Sequence, residues 1–197
     1  MNQQQGKMQL LIFAALILLA VLTRLMPALP NFSPIIAIAI MSGLYFKDRI
    51  LKFLVPLSAL LISDVLVNNV LYADHFEQFT VFYSGFYWTY GCIALFILLT
   101  DKALMQKFHD SSLVQKSSIV GGSALLASVI FFLVSNFGVW VSGSLYPMTW
   151  SGLVSAYAFA IPFFHMNLLG NLVFAGILFG AFEFIKLSMG LTSAKPQ

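Results

Sequence analysis

Asp64 and Arg24 are charged residues within apolar stretches, where a charge needs a partner. Asp64 stands in the run Leu-Ile-Ser-Asp-Val-Leu-Val-Asn-Asn, and a carboxylate there requires a cation, a proton or water. Arg24, near the end of the first apolar stretch, is the only cation placed to help. Two interpretations stay open: the pair locks two helices together, or it contacts a solute directly.

Amide and aromatic side chains are concentrated in alternate loops and at the adjacent helix ends. They are Asn31, Phe32, Tyr83, Tyr87, Trp88, Tyr90, Asn136, Trp140, Tyr146, Trp150 and Tyr157. Trp and Tyr are typical of a membrane interface, whereas a pocket for a large amphipathic ligand pairs aromatic walls with a few amides. The amides favour a pocket, because an interfacial belt needs none, but both interpretations stay open.

Cys92 and His165 are the remaining candidates for chemistry. A lone cysteine usually serves as a small hydrophobic residue, yet a thiolate can also bind a metal whose other positions are filled by a macrocycle. His165 could be a second ligand, a hydrogen-bond donor or a packing residue. No nucleophile-elbow pattern accompanies Ser63, Asp64 and His165, so serine-hydrolase chemistry is poorly supported.

The composition indicates that these residues are positioned by membrane helices. Of the 197 residues, 60% are hydrophobic and 9% are charged, and the mean hydropathy is +0.92. Soluble domains carry about 25% charged residues, so this chain has too little charge to cover a water-facing surface. The single cysteine excludes an intramolecular disulfide framework. No phosphate-binding loop of the G-x-x-x-x-G-K-[ST] type is present.

Six apolar segments predict an all-α membrane protein with six transmembrane helices. They cover about 8–26, 35–46, 51–71, 79–99 and 118–140, with a sixth within 157–189. The second segment is short for a crossing of the bilayer. We expect Pro162 to divide the long last segment into a short surface helix and the true span.

Lysine and arginine predict the orientation, because cytoplasmic loops carry the excess of both. Nine of the ten cationic residues fall at the N-terminus, at the C-terminus or in alternate loops, and Arg24 is the exception. The loops 27–34, 72–78 and 140–156 contain none. Both termini are therefore expected in the cytoplasm. We predict a cytoplasmic tail over 1–7, one transmembrane domain over 8–189, a second cytoplasmic tail over 190–197, and no cleavable signal.

Several motifs carry a resemblance over residues 8–187. They are Arg24, Pro30-Asn-Phe-Ser-Pro34, Ser63-Asp64, Tyr90-Gly91, Ser135-Asn-Phe-Gly-Val-Trp140, Tyr146-Pro147, Gly152-Leu153 and Ile161-Pro-Phe-Phe164. With these motifs the chain resembles a bacterial membrane family similar to the substrate-binding S components of energy-coupling-factor (ECF) vitamin transporters. Within that group it is most similar to the BtuM-like cobalamin transporters. The resemblance implies an S-component-like bundle in the bacterial inner membrane.

The resemblance also implies a cargo and a site. The cargo would be cobalamin or a related corrinoid, with Cys92 as an axial ligand to its cobalt and possible displacement of cyanide in the site. Soft sulfur suits such a metal. The expected pocket wall comprises Asn31, Tyr87, Tyr90, Asn136, Trp140, Tyr146 and His165. No intrinsic cofactor and no nucleic acid is expected; the partners are cobalamin, the lipid bilayer and either an ECF coupling module or none.

Other functions remain open at this level. The protein could be an S component for another small vitamin, with Cys92 merely packed. It could be a membrane enzyme that uses Asp64 and His165 as acid and base. A scaffold for partner helices is a further alternative.

Overall fold

The computed structural model describes residues 3–26, 31–46, 48–76, 78–100, 102–143 and 145–188, and this part of the chain is helical without strands. The helices are α1 (Gln3–Arg24), α2 (Ile35–Tyr45), α3 (Arg49–Leu66, continued by a π-helical turn over Val67–Leu71), α4 (Phe86–Leu99), α5 (Lys102–Asp110), α6 (Leu113–Val141) and α7 (Trp150–Ser188). The predicted all-α class is therefore confirmed.

Within these described ranges, three helices are long and apolar enough to cross a membrane, namely α3 with its π-helical turn, α6 and α7. A fourth span results if α4 and the segment 104–110 of α5, which meet at 57°, count as one bent span. The apolar parts of α1 and α2 are shorter, at 14–24 and 35–45. The structure is thus consistent with a membrane protein of three or four such spans, while the count of six and the side of the termini stay predictions.

The short helix α2 occupies the centre of the bundle. Ten of its eleven residues are buried, and it packs against α3, α4, α6 and α7. A helix that is apolar on every side is stable only when other helices surround it. Eleven residues span about 16 Å, whereas the hydrocarbon layer is about 30 Å thick. The centre of the bundle therefore lacks a helix over part of its depth, next to the non-helical segment 31–34.

Several boundaries differ from the sequence-based expectation, and α6 and α7 begin earlier than expected, at Leu113 and Trp150. The predicted break at Pro162 is wrong, because α7 runs without interruption from Trp150 to Ser188 with Pro162 inside it. One proline removes a single backbone donor, and the remaining hydrogen bonds hold the helix where water cannot replace them. Helix α4 begins at Phe86 rather than near Phe79. The amphipathic helix α5 had not been predicted.

The lysine-rich end of the bundle is closed by paired side chains. Tyr45 donates its hydroxyl to Glu183 Oε1 at 2.7 Å, and Lys186 Nζ lies 3.3 Å from the same oxygen. Lys116 Nζ lies 4.0 Å from Glu183 Oε2. Phe108 of α5 is completely buried beneath this network, with its ring edge-on to Tyr45 at 5.1 Å. We call this end, defined by Tyr45, Phe108, Lys116, Glu183 and Lys186, the inner end, and the opposite end the outer end.

Candidate ligand-binding site

Arg24 and Asp64 form a buried ion pair between α1 and α3. Arg24 Nη2 lies 2.6 Å from Asp64 Oδ1, and the two side chains are 20% and 2% exposed. Arg24 Nη1 also donates to the hydroxyl of Ser63 and reaches the Leu60 carbonyl oxygen at 3.5 Å. The planar guanidinium presents its donors in a fixed fork and so reaches several acceptors at once. The expected pair is present, and it ties the end of α1 to the last turn of α3.

Tyr90 completes this network from α4. Its hydroxyl donates to Asp64 Oδ2 at 3.0 Å, so that both carboxylate oxygens of Asp64 face a donor. These contacts give the carboxylate a structural role, because removal of Arg24 would leave a buried charge without its counter-charge. The geometry favours the interpretation of a helix lock over that of a free charge for a solute.

A cavity of about 480 Å³ opens at the outer end of the bundle. Its walls come from the ends of α1 and α3, the segment 31–36, the start of α4, and the middle of α6 and α7. The cavity lies where the short α2 leaves the centre unfilled. A smaller cavity of about 230 Å³ adjoins it and shares Asn31, Phe131 and Asn167. Small-molecule sites measure about 300–1,000 Å³, so of these two adjoining cavities the larger one reaches that range.

The non-helical segment 31–34 lies against α7 because of two local features. Asn31 adopts a left-handed backbone with φ 63°, a conformation that asparagine tolerates better than most residues. Gly170 of α7 faces the segment, and a Cβ there would lie 3.1 Å from Phe32 Cα. The absence of a side chain at Gly170 thus permits the close approach that shapes the cavity wall.

The polar lining consists mainly of uncharged groups, a mixture of amides and hydroxyls. Asn31, Asn167 and Asn171 line the larger cavity, and Asn136 lines the smaller one. Arg24 is the one charged residue among the described residues that line either cavity, and it is already paired. Such a lining is suited to a neutral polar ligand.

Asn167 and Asn171 were missed at the sequence level. The signal was available, since two amides four residues apart share one face of a helix and polar groups in an apolar span are costly. We applied that argument to Asp64 in the third segment but not to the last segment. Asn171 is completely buried, and its Nδ2 donates to Ser128 Oγ at 2.8 Å and to Asn167 Oδ1 at 3.1 Å.

Two of the seven expected wall residues, Asn31 and Asn136, line these cavities. Asn136 Nδ2 donates to its own helix at Phe132 O, 2.7 Å away. Trp140 Nε1 donates to Pro147 O at 3.1 Å, which secures a loop rather than a cavity wall.

The remaining aromatic candidates and His165 lie elsewhere. Tyr87 is 57% exposed on the surface of α4, and Tyr90 serves Asp64. Tyr146 stacks on Phe159 at 6.3 Å. His165 is exposed on α7. Helical rotation explains these positions, because residues on the same helix end can point to lipid, to a neighbouring helix or to the cavity.

Cys92 lies in the packed core of α4 and is 1% exposed. It contributes to neither cavity, although its neighbours Thr89 and Ile93 line the larger one. Thr89 and Ile93 are four residues apart and share a helix face, and Cys92 is turned by about 60° from Thr89 and by about 100° from Ile93. In this packing arrangement the thiol is directed into helix contacts.

Among the described residues, no group of three or more His, Cys, Asp and Glu side chains is arranged to hold a metal ion.

Comparison with known proteins gives a family but no activity. No curated protein and no solved structure matches the chain. Residues 4–193, almost the whole chain, match a family described as a family of unknown function, DUF6580. The chain belongs to the DUF6580 family.

Proposed function

We propose that this protein is the solute-binding component of an uptake system in the bacterial inner membrane, built as a six-span bundle with both termini in the cytoplasm. One observation carries the proposal. The amide-lined cavity opens at the end of the bundle whose loops contain no Lys or Arg, and the positive-inside rule assigns that end to the outside. A solute would enter there and be delivered inward.

Cobalamin or a related corrinoid is the solute that the family resemblance supports. The corrin periphery carries carboxamide groups, which asparagine side chains can recognise through paired hydrogen bonds. A complete cobalamin is larger than a cavity of about 480 Å³, so the outer mouth must widen on binding. Cobalt ligation by Cys92 requires in addition that α4 turn its thiol toward the cavity. The Cys92 thiolate would then take an axial position, and cyanide would leave from cyanocobalamin.

A smaller neutral vitamin is the second candidate, and two observations favour it. The cavity volume suits a ligand smaller than a corrinoid, and Cys92 is packed in the core rather than in the wall. If the solute is a smaller vitamin, Cys92 has no role in binding it.

A membrane enzyme with Asp64 and His165 as acid and base has no comparable support. Both carboxylate oxygens of Asp64 face donors, and His165 is exposed on α7. We therefore propose a carrier rather than an enzyme. Because the sequence has no phosphate-binding loop, uptake would depend on a separate coupling module or on trapping of the solute inside the cell.

Retention of cyanocobalamin by the purified full-length protein tests the identity of the solute. The wild type and Cys92→Ala would be incubated with cyanocobalamin, desalted and examined by absorption spectroscopy. Retained corrinoid with a shifted spectrum, and loss of the shift in Cys92→Ala, supports both the cargo and the cobalt ligand. Identical spectra of retained corrinoid remove Cys92 from the site. A wild type that retains no corrinoid contradicts the cobalamin assignment and leaves the smaller vitamin.

The orientation can be tested with single cysteines, since Cys92 is the only native one. In a Cys92→Ser background, Leu145→Cys is expected to react with a membrane-impermeant maleimide in intact spheroplasts, and Gln106→Cys only after lysis. Leu145 is 68% exposed in the loop before α7, and Gln106 is exposed on α5. The reverse pattern would place the cavity on the cytoplasmic side and contradict uptake through it.

A further inference from the structure

The carbonyl oxygen of Asn171 is a buried acceptor without a hydrogen-bond partner among the described residues. The side chain is completely buried within the protein and yet forms part of the wall of the larger cavity. An unpaired buried acceptor costs free energy, and native structures usually pair such groups unless a ligand or water does so. The oxygen therefore indicates a missing donor on the cavity side.

The orientation of the Asn171 amide is determined by Ser128. The Ser128 hydroxyl donates its single hydrogen to Ala124 O at 2.8 Å, so that Oγ can only accept from Asn171. Asn171 must therefore present its NH₂ group to Ser128, at 2.8 Å. An amide flipped by 180° would bring two acceptors together. The carbonyl oxygen is thus what remains available to the cavity.

Asn167 is oriented by Asn171 in turn. Its Oδ1 accepts the second hydrogen of the Asn171 NH₂ group at 3.1 Å, so its own NH₂ group is left for a ligand. Nδ2 of Asn167 has no hydrogen-bond partner in the described part of the chain. Asn167 borders both cavities. The two linked amides together offer one acceptor and one donor.

We propose that Asn171 and Asn167 form a recognition site for a carboxamide or lactam group of the solute. The ligand N–H donates to Asn171 Oδ1, and the ligand carbonyl oxygen accepts from Asn167 Nδ2. This inference rests on the proposed function only in taking the cavity as the solute site. It names the chemical class that the site selects, whether the solute is a corrinoid or a smaller vitamin.

The same arrangement rejects a carboxylate. A carboxylate has no hydrogen to donate to Asn171 Oδ1 and would place a negative charge against that oxygen. Arg24, the cation that could compensate, is engaged by Asp64 at 2.6 Å. A site built to pair with an N–H group discriminates strongly against an analogue that lacks it, because the buried polar group is then left unpaired. Selectivity for the amide over the acid is the expected signature.

Nicotinamide and nicotinate are a matched pair of probes, since they differ in this one group. Saturation-transfer NMR of the full-length protein in detergent should show binding of nicotinamide about tenfold stronger than that of nicotinate. Asn171→Leu should abolish the nicotinamide signal, whereas Gln106→Leu, a similar change on the exposed surface of α5, should leave it unchanged. Ser128→Ala frees the Asn171 amide to turn, and we expect nicotinate binding to rise relative to nicotinamide.

Thermal stability separates loss of binding in Asn171→Leu from loss of the fold. Asn171→Leu removes an unpaired buried acceptor but also the donor of Ser128 Oγ and Asn167 Oδ1, so we expect a moderate fall in its melting temperature and compare binding at a temperature where the variant stays folded. Persistence of the nicotinamide signal in Asn171→Leu overturns the proposal. So does a wild type that binds both probes equally or binds neither, since water then satisfies Asn171.

Retention of cyanocobalamin, measured in parallel, distinguishes failure of the carboxamide site from failure of the cobalamin assignment. If Asn171→Leu retains as much corrinoid as the wild type, the carboxamide site fails and the cobalamin proposal stands. If the wild type retains no corrinoid but discriminates between the nicotinamide pair as expected, the carboxamide site stands and the cobalamin assignment fails.

Discussion

The polar groups at the two ends of the helix bundle differ in how fully they are paired. At the inner end, Glu183 lies within 4.0 Å of both Lys116 and Lys186 and accepts the hydroxyl of Tyr45. Lys186 also lies 4.3 Å from the centre of the Tyr45 ring. At the outer end, a cavity of about 480 Å³ contains an amide oxygen without a partner among the described residues and a left-handed Asn31.

This contrast is what the proposed function predicts for a structural end and a ligand-binding end. Natural sequences usually satisfy local rules throughout, and the exceptions are concentrated where a ligand must bind. At the inner end, Tyr45, Lys116, Glu183 and Lys186 follow those rules with packed rings and paired charges, and the buried Ser42 hydroxyl one turn earlier on α2 is the exception there. The outer end departs from them beside the amide-lined cavity. Changes at the inner end should therefore reduce stability, and changes at the outer amides should reduce binding.

The largest effect is expected at the Arg24–Asp64 pair, which joins α1 to α3 beside the outer cavity. Arg24→Ala leaves the carboxylate of Asp64, 2% exposed, without its cation and should destabilise the fold by about 3–5 kcal/mol. The yield of monodisperse protein and its melting temperature in detergent would measure this loss.

The double variant Arg24→Met, Asp64→Leu is the control for that prediction. It removes both charges, and most of the lost stability should return because no uncompensated charge remains. If Arg24→Ala were as stable as the wild type, the pair would not lock α1 to α3 and a direct role in solute binding would become the better interpretation.

A smaller loss is expected where α2 contacts α4 near the inner end. In Gly43→Ala the new methyl group would overlap the side chain of Thr100, and overpacking of this kind costs about 1–3 kcal/mol. Gly176→Ala is the matched control, since a Cβ at this exposed position of α7 would have open space around it. Equal melting temperatures for the two variants would contradict the close α2–α4 contact.

The smallest loss is expected for Tyr45→Phe, which removes one hydrogen bond from the inner end. Glu183 keeps Lys186 at 3.3 Å, so the cost should be about 1–2 kcal/mol. Solute retention should stay at the wild-type level, because Tyr45 lines neither outer cavity. If Tyr45→Phe kept its stability but lost solute retention, the distinction between the two ends would be contradicted.

Several features could be predicted from residue type and spacing. Asp64 within an apolar stretch required a partner, and Arg24 was the one cation within reach, so their pairing followed from the cost of a charge in the membrane. The short apolar segment that became α2 was visible as too brief for a full crossing. Asn31 was singled out because an interfacial belt needs no amides. Each of these inferences depended on composition along the chain alone.

Other features depended on how the helices rotate against each other. Tyr87 and Tyr90 are three residues apart in one motif, yet the first is exposed and the second donates to Asp64. Cys92 was expected to face the ligand, but the packing of α4 directs it into the core. Side-chain direction on a helix changes by about 100° per residue. A small error in the expected rotation of a helix about its axis therefore assigns the wrong neighbours to its residues.

By itself, the sequence determined the membrane class, the helical content and the expected orientation, because these follow from hydropathy, length and the distribution of Lys and Arg. Only the tertiary structure decided which polar groups would find partners. Asn171 donates across to Ser128, 43 residues away, while its oxygen remains unpaired within the described chain. Hydrogen bonds between distant segments depend on packing, and local composition does not encode them.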